Sequence, residues 1–292
     1  MSSLSPVKAV FQQSVAFLQN YRWGGASLIS LYISVLSGIV LALQYDPAEP
    51  FYSLSTIELI APYGAFWRSL HYYSSQLFFL FLVMHLVVVL WKKSDDFSRS
   101  AWIRLCLSLP CAILLLFTGY VLRGDATGEA AGTIAEHISL SIPWFGETVN
   151  HLFFDLQTSG VRKVYAQHLI GLMVLGGISV WPHLRRYRAN VKDFLLLAML
   201  ILFLSALVQA PIEASRFGLL FIAGPWFFLG LQELLRHLPP FLASVIIPLL
   251  PVLLLCLLPR PPQQRERGVY FFLLALWLLI YAWFSWLCLQ RI

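Results

Sequence analysis

Apolar residues along this chain fall into long runs almost free of charge, parted by short polar segments. Seven runs, at roughly 24–44, 72–91, 105–122, 164–182, 194–211, 238–258 and 269–288, have the length of a helix that crosses a bilayer. They predict an all-α membrane protein of about seven transmembrane helices. A further apolar stretch at 217–231 contains Gly224 and Pro225, is too short for a span, and predicts an interfacial or re-entrant element. Residues 1–20 lack the basic, apolar and cleavage-site regions of a signal peptide and predict an amphipathic surface helix.

Composition narrows the class further. With 59% hydrophobic and 12% charged residues and a mean hydropathy of +0.75, the chain is excluded from the soluble globular class. A net charge of +6 would suit nucleic acid, but the cations are distributed by side of the membrane instead. With the N-terminus inside, the inner segments hold thirteen Lys and Arg residues and the outer segments seven: Arg68, Arg123, Arg162, Lys163, Arg216, Arg236 and Arg291. That asymmetry is the positive-inside rule and sets the orientation, with the N-terminus cytoplasmic. Anionic lipid headgroups are sufficient partners for the charge, and the expected location is the cytoplasmic membrane of a prokaryote. The four cysteines, Cys106, Cys111, Cys256 and Cys288, lie within predicted spans without a CxxC or CxxCH arrangement. They indicate neither zinc nor a covalent c-type haem and are read as small apolar fillers.

Two spans carry paired histidines. His71 and His85 are fourteen residues apart, and His168 and His183 fifteen. At about 1.5 Å and 100° per residue, fourteen steps climb roughly 21 Å and return nearly to the starting face; fifteen return about as closely from the other side. Each span therefore stacks two imidazoles on one stripe, near opposite faces of the bilayer. Ionisable groups at that depth are expensive and have a partner or a function, and imidazoles from two helices can ligate one iron axially. The pattern predicts two non-covalent, six-coordinate b haems that form an electron path across the membrane. Histidines hydrogen-bonded to neighbouring helices are the alternative, but unrelated structural histidines have no reason to share a vertical separation. His137, His151 and His237 fall in connecting regions and are read as ordinary polar residues.

Topology pairs the ligands. Seven spans starting inside make the second and fourth parallel, both running from the outer face to the inner. The outer haem is then held by His71 and His168, and the inner haem by His85 and His183. Gly24 and Gly38, fourteen apart in the first span, match the haem separation, and Gly119 closes the third span near the outer level. Glycines let a flat macrocycle approach a backbone, although ordinary helix packing would also account for them.

These residues carry a resemblance. Gly24 and Gly38, "RSLH" at Arg68–His71, His85 at its interval, "GY" at Gly119–Tyr120, "IPWFG" at Ile142–Gly146 and the His168/His183 pair resemble cytochrome b of the quinol:cytochrome c reductases and of the cytochrome bf complex. The fifteen-residue interval is the bf-type one. From about residue 193 the chain looks like the three-helix subunit IV of the bf complex fused to the first part. The resemblance implies a di-haem four-helix domain at 1–192 and a subunit IV-like domain at 193–292. It also implies a quinone-reactive subunit of a respiratory or photosynthetic complex, with a quinone of menaquinone or ubiquinone type. Its implied partners are a c-type cytochrome or an iron–sulfur subunit in an oligomeric assembly. By position, Arg68 and Lys163 are the implied partners of the outer-haem propionates, exposed surface cations being the other reading.

Three departures bear on that function. The family's P-E-W-Y element stands here as "GPWF", Gly224–Phe227, so Pro225, Trp226 and Phe227 line the implied outer quinone site without its carboxylate or phenol. Arg22 stands where the bf family has a thioether-forming cysteine, so no covalent third haem is expected. Leu105 stands where the family has a glycine fourteen residues before Gly119, an expected cause of tilt in the third helix. Oxidising a quinol at the outer site requires another proton acceptor; among Glu129, Glu136, His137 and Glu233, Glu233 is the candidate because it lies eight residues after Pro225. Two functions compete: electron transfer between a quinone pool and partner redox subunits, and a haem-binding anchor for peripheral redox proteins without quinol oxidation of its own. Transport through a proton-relaying histidine path fits poorly, because the midplane is nearly uncharged.

Overall fold

The computed structural model describes residues 6–94, 97–155, 160–187, 189–213, 222–258 and 264–291, and among these there are helices and no strand. In chain order they are α1 (Pro6–Asn20), α2 (Trp23–Ala42), α3 (Pro50–Leu59), α4 (Gly64–Trp91), α5 (Arg99–Val121), α6 (Ala126–Leu140) and α7 (Gly146–Phe153). Then come α8 (Gly160–Arg186), α9 (Leu195–Leu207), α10 (Leu229–Leu234), α11 (Leu242–Leu257) and α12 (Gln264–Leu289). Five of them, α2, α4, α5, α8 and α12, are long and apolar enough to cross a membrane. The other two expected spans are helical but shorter. The 13 residues of α9 rise only about 20 Å, and α11 carries Pro248 and Pro251.

Two helix pairs build the first half of the molecule: α2 packs along α4, and α5 along α8. The α2–α4 contact is close because α2 buries small residues, Ala26, Ser27, Ser30, Ser34 and Ser37, on one face, the arrangement by which helices in lipid approach most tightly. Two of the serine hydroxyls are satisfied at that depth, Ser27 donating to the Phe78 carbonyl at 3.0 Å and Ser37 to that of Ile33 at 2.8 Å, while Ser30 Oγ is buried without a hydrogen-bond partner. At one end of the bundle, α3 leads into α4, while α6 and α7 bridge α5 and α8. Asp125 caps α6 by accepting the Gly128 N–H at 3.0 Å, and Ser98 caps α5. In the second half, α9 lies against α4, α11 against α5, and α12 packs on α10 and α11.

Helix α4 begins eight residues before the predicted span. The uncharged apolar run starts after Arg68, but that side chain is buried, paired with Glu58 and donating to the carbonyls of Ala210 and Pro211. A charge paired with a carboxylate and bonded inside the protein does not end a helix. Of the apolar stretch at 217–231, residues 217–221 lie outside the described residues. The remainder is an irregular segment, a 3₁₀ turn at Trp226–Phe228 and the short α10, none of it a span.

Candidate functional site

The structure brings the four intramembrane histidines together in two pairs, one above the other. His71 on α4 faces His168 on α8 with ring centroids 6.2 Å apart, and His85 faces His183 at 6.1 Å. An imidazole–metal bond is about 2 Å and the bonded nitrogen lies roughly 1.1 Å from its ring centre, so two imidazoles on one metal place their centroids about 6.2 Å apart. The separations therefore fit one metal that the two rings would hold between them at each level.

Hydrogen bonds at the outer level set the tautomers. His71 Nδ1 lies 2.8 Å from the Ser34 carbonyl, so it must be the protonated nitrogen. His168 Nδ1 lies 2.8 Å from Thr118 Oγ1, whose own hydroxyl proton goes to the Leu114 carbonyl at 2.8 Å. The threonine oxygen is thus the acceptor and His168 Nδ1–H the donor. Both rings keep an Nε2 lone pair, the arrangement by which a second-shell acceptor prepares a histidine for a metal. At the inner level, His183 Nδ1 is buried without a hydrogen-bond partner.

Why one interval is fourteen and the other fifteen follows from a local irregularity. Helix α8 contains a π-helical turn at Gln167–Gly171, closed by the Leu172 N–H on the Gln167 carbonyl, and His168 sits within it. A π turn absorbs one extra residue. Fifteen chain steps on α8 therefore cover what fourteen cover on α4, and both histidine pairs stay level. Such turns have no periodicity signature.

Glycines make the room these rings occupy. A Cβ on Gly38 would lie 2.9 Å from His71 Cε1, one on Gly24 3.0 Å from His85 Cε1, and one on Gly119 3.3 Å from His168 Cε1. The sequence reading had these glycines admit a macrocycle edge; in the structure they lie against the imidazoles. The fourth position is Leu105, and it lines a small cavity of about 50 Å³ with His183, Phe97 and Tyr187. The outer cavity, about 270 Å³, is lined by His71, His168, Gly38 and Gly119 together with Tyr72, Tyr120 and Arg123. Arg22, at the position of the missing cysteine, pairs on the inner side with Asp193.

Of the two cations expected at the outer cavity, Arg68 lines it and Lys163 does not, and both have partners within the protein. Arg68 is committed to Glu58, Ala210 and Pro211. Lys163 Nζ donates to the His151 carbonyl at 2.6 Å and to Asp155 at 3.2 Å.

The "GPWF" element lies against the outer half of the bundle. Trp226 Nε1 donates to Gln76 Oε1 at 2.8 Å, and the Phe227 ring packs on Tyr120 at 5.7 Å. Gln232 clamps the segment before it, accepting the Gly224 N–H and donating to the Ile222 carbonyl, both at 2.7 Å. Tyr281 of α12 donates to the Phe227 carbonyl at 2.8 Å. Glu213, which the sequence reading did not single out, accepts from Thr127 Oγ1 at 2.6 Å, and the same hydroxyl lies 3.5 Å from the Ala223 carbonyl.

Glu233 is fully buried and held by two side chains: Arg291 bonds both carboxylate oxygens at 3.0 Å, and His237 lies at 3.1 Å. Burial alone would raise its pKa, but the hydrogen bonds from Arg291 and His237 and the charges of Arg291 and Arg236 outweigh it and lower the value from 4.5. The carboxylate ties α10 to the end of α12. Its partners Arg291 and His237 are about half-exposed and rehydrate on release, so Glu233→Gln is expected to destabilise the protein by about 1–3 kcal/mol, less than for a sealed pair. Because the folded pKa lies below the unfolded one, this contribution is complete at neutral pH and fades as pH falls through the folded value. Thermal unfolding in detergent at pH 7 and pH 4 checks both: the deficit of Glu233→Gln against wild type shrinks at the lower pH.

A family description for cytochrome b/b6/petB matches residues 10–186. Cytochrome b of Talaromyces marneffei is 24% identical over 294 aligned residues, covering 86% of this chain and 76% of that protein. Cytochrome b6 of Heliobacterium mobile is 30% identical over 158 residues, covering 53% of this chain and 72% of its own length. A chain of a hyperthermophilic respiratory Complex III has a similar fold, with a TM-score of 0.67 at 20% identity, over 91% of this chain and 82% of that one.

Proposed function

The chain belongs to the cytochrome b/b6 family, and from that premise we propose that it carries two b haems, one per histidine pair, and passes electrons across the membrane between a quinone pool and partner redox subunits. It is an integral membrane electron-transfer cytochrome of the bc-type class, whose cofactor is haem b. The observation that carries the finer reading is the pair of equal 6.2 and 6.1 Å ring separations, with the outer Nδ1 protons turned away onto Ser34 and Thr118.

Bound haem b supplies one-electron chemistry at each level. The chain's own part is to hold each ligand ring: Ser34 and Thr118 orient the outer imidazoles, Gly24, Gly38 and Gly119 leave them space, and the apolar helices keep water from the path. The proposed outer quinone site is the region where Trp226 meets Gln76 and Phe227 meets Tyr120, beside Tyr72. With Glu233 bound by Arg291, we assign proton acceptance there to Glu213, which Thr127 links to the "GPWF" segment. The proposed partners are a c-type cytochrome or an iron–sulfur subunit, in the cytoplasmic membrane of a prokaryote with the N-terminus inside.

Glu213→Gln is expected to slow menaquinol-analogue reduction of the haems at least about a hundredfold at pH 7, the low end of what a positioned general base contributes. Stopped-flow absorbance of the purified complex checks it, with Glu233→Gln as the comparison that leaves the rate near wild type. Pro225 and Phe227 favour a second reading, a haem-bearing anchor that oxidises no quinol. Wild-type haems that stay oxidised with excess quinol would select it.

A further inference from the structure

We infer that Arg123 anchors a propionate carboxylate of the outer haem, the role that position in the fold suggests for Arg68. The inference rests on the proposed outer haem. Gly119 lies against the His168 ring, and Arg123 follows four residues on, one turn nearer the outer surface along the same stripe. The chain keeps its helical turn to that point, with Leu122 N–H on the Thr118 carbonyl and Arg123 N–H on that of Tyr120. The side chain lines the outer cavity with His71 and His168 and is nine-tenths buried. One guanidinium nitrogen, Nη2, pairs with Asp125, and the plane lies over the Tyr120 ring at 5.1 Å. Nε is buried with no hydrogen-bond partner.

A buried guanidinium donor without an acceptor is costly, and this one lines a cavity whose other cation, Arg68, already has a partner at each of its three nitrogens, Glu58 and two carbonyls. A carboxylate at the cavity rim supplies the missing acceptor, and one guanidinium can serve two carboxylates through different edges. Asp125 is then the second carboxylate: fully buried, it also accepts Gly128 N–H and Glu213 N–H at 3.0 Å. It thereby fixes Arg123 to the start of α6.

The test uses protein purified with its haems, carrying ¹³C at the haem propionate carboxylates. In Arg123→Gln/Asp125→Asn, which removes both buried charges together, the potential of the outer haem is expected to fall. A propionate without its cation favours ferric iron. The ¹³C-sensitive carboxylate band in oxidised-minus-reduced infrared spectra should move, and the inner haem should keep its potential. Should that variant fail to assemble, Arg123→Lys keeps the charge but not the fork, and the band should still move. A band unmoved in the variants that assemble, with two b haems present, overturns the role of Arg123 alone. A wild-type protein without an outer b haem overturns the di-haem reading and this inference with it.

Discussion

His168→Ala protein is expected to purify with one b haem, the inner one, and His71→Ala protein with the same one. His85→Ala and His183→Ala should each retain only the outer haem. The reason lies in the pairing: His71 reaches His168 and His85 reaches His183 at nearly the same separation, so each ring has one opposite number. A six-coordinate iron that loses one imidazole is left with a single axial bond and pocket packing. Low-temperature absorbance of the four variants resolves the two haems. If His71→Ala and His183→Ala removed the same component, the pairing would be wrong and the parallel course of α4 and α8 with it.

The second large effect is steric and comes from residues that make no bond. Gly38→Val should abolish the outer haem, and Gly24→Val the inner. A Cβ at Gly38 already stands 2.9 Å from His71 Cε1, and at Gly24 3.0 Å from His85 Cε1, before any γ-carbon is added. His71 cannot retreat, because its Nδ1 is held to Ser34. At Gly119 the distance to His168 is 3.3 Å, so Gly119→Ala should retain haem where Gly38→Ala loses a measurable share. Haem-to-protein ratios across the series check the order. Equal retention in Gly38→Val and wild type would mean that the glycine row serves helix packing only.

Much of this was legible in the sequence because lipid leaves little freedom. Apolar length predicts helices, and the two histidine intervals predict paired levels. What escaped the sequence depends on contacts between distant residues. The start of α4 was hidden because Arg68 is neutralised by Glu58 and by carbonyls more than a hundred residues away. The extra residue on α8 sits in a π turn that no periodicity marks. Glu233 looked like a proton acceptor from its distance to Pro225, but its partner Arg291 arrives from the far end of the chain. Arg123 read as one outer cation among seven, and only the cavity and its partnerless Nε distinguish it.

The account rests on two b haems per chain, and a pyridine haemochrome assay of the purified subunit, with protein quantified by amino-acid analysis, tests that most directly. The expected result is two extractable haems b per polypeptide and no haem retained by the denatured chain. One haem b per polypeptide, or any covalently retained haem, would contradict it.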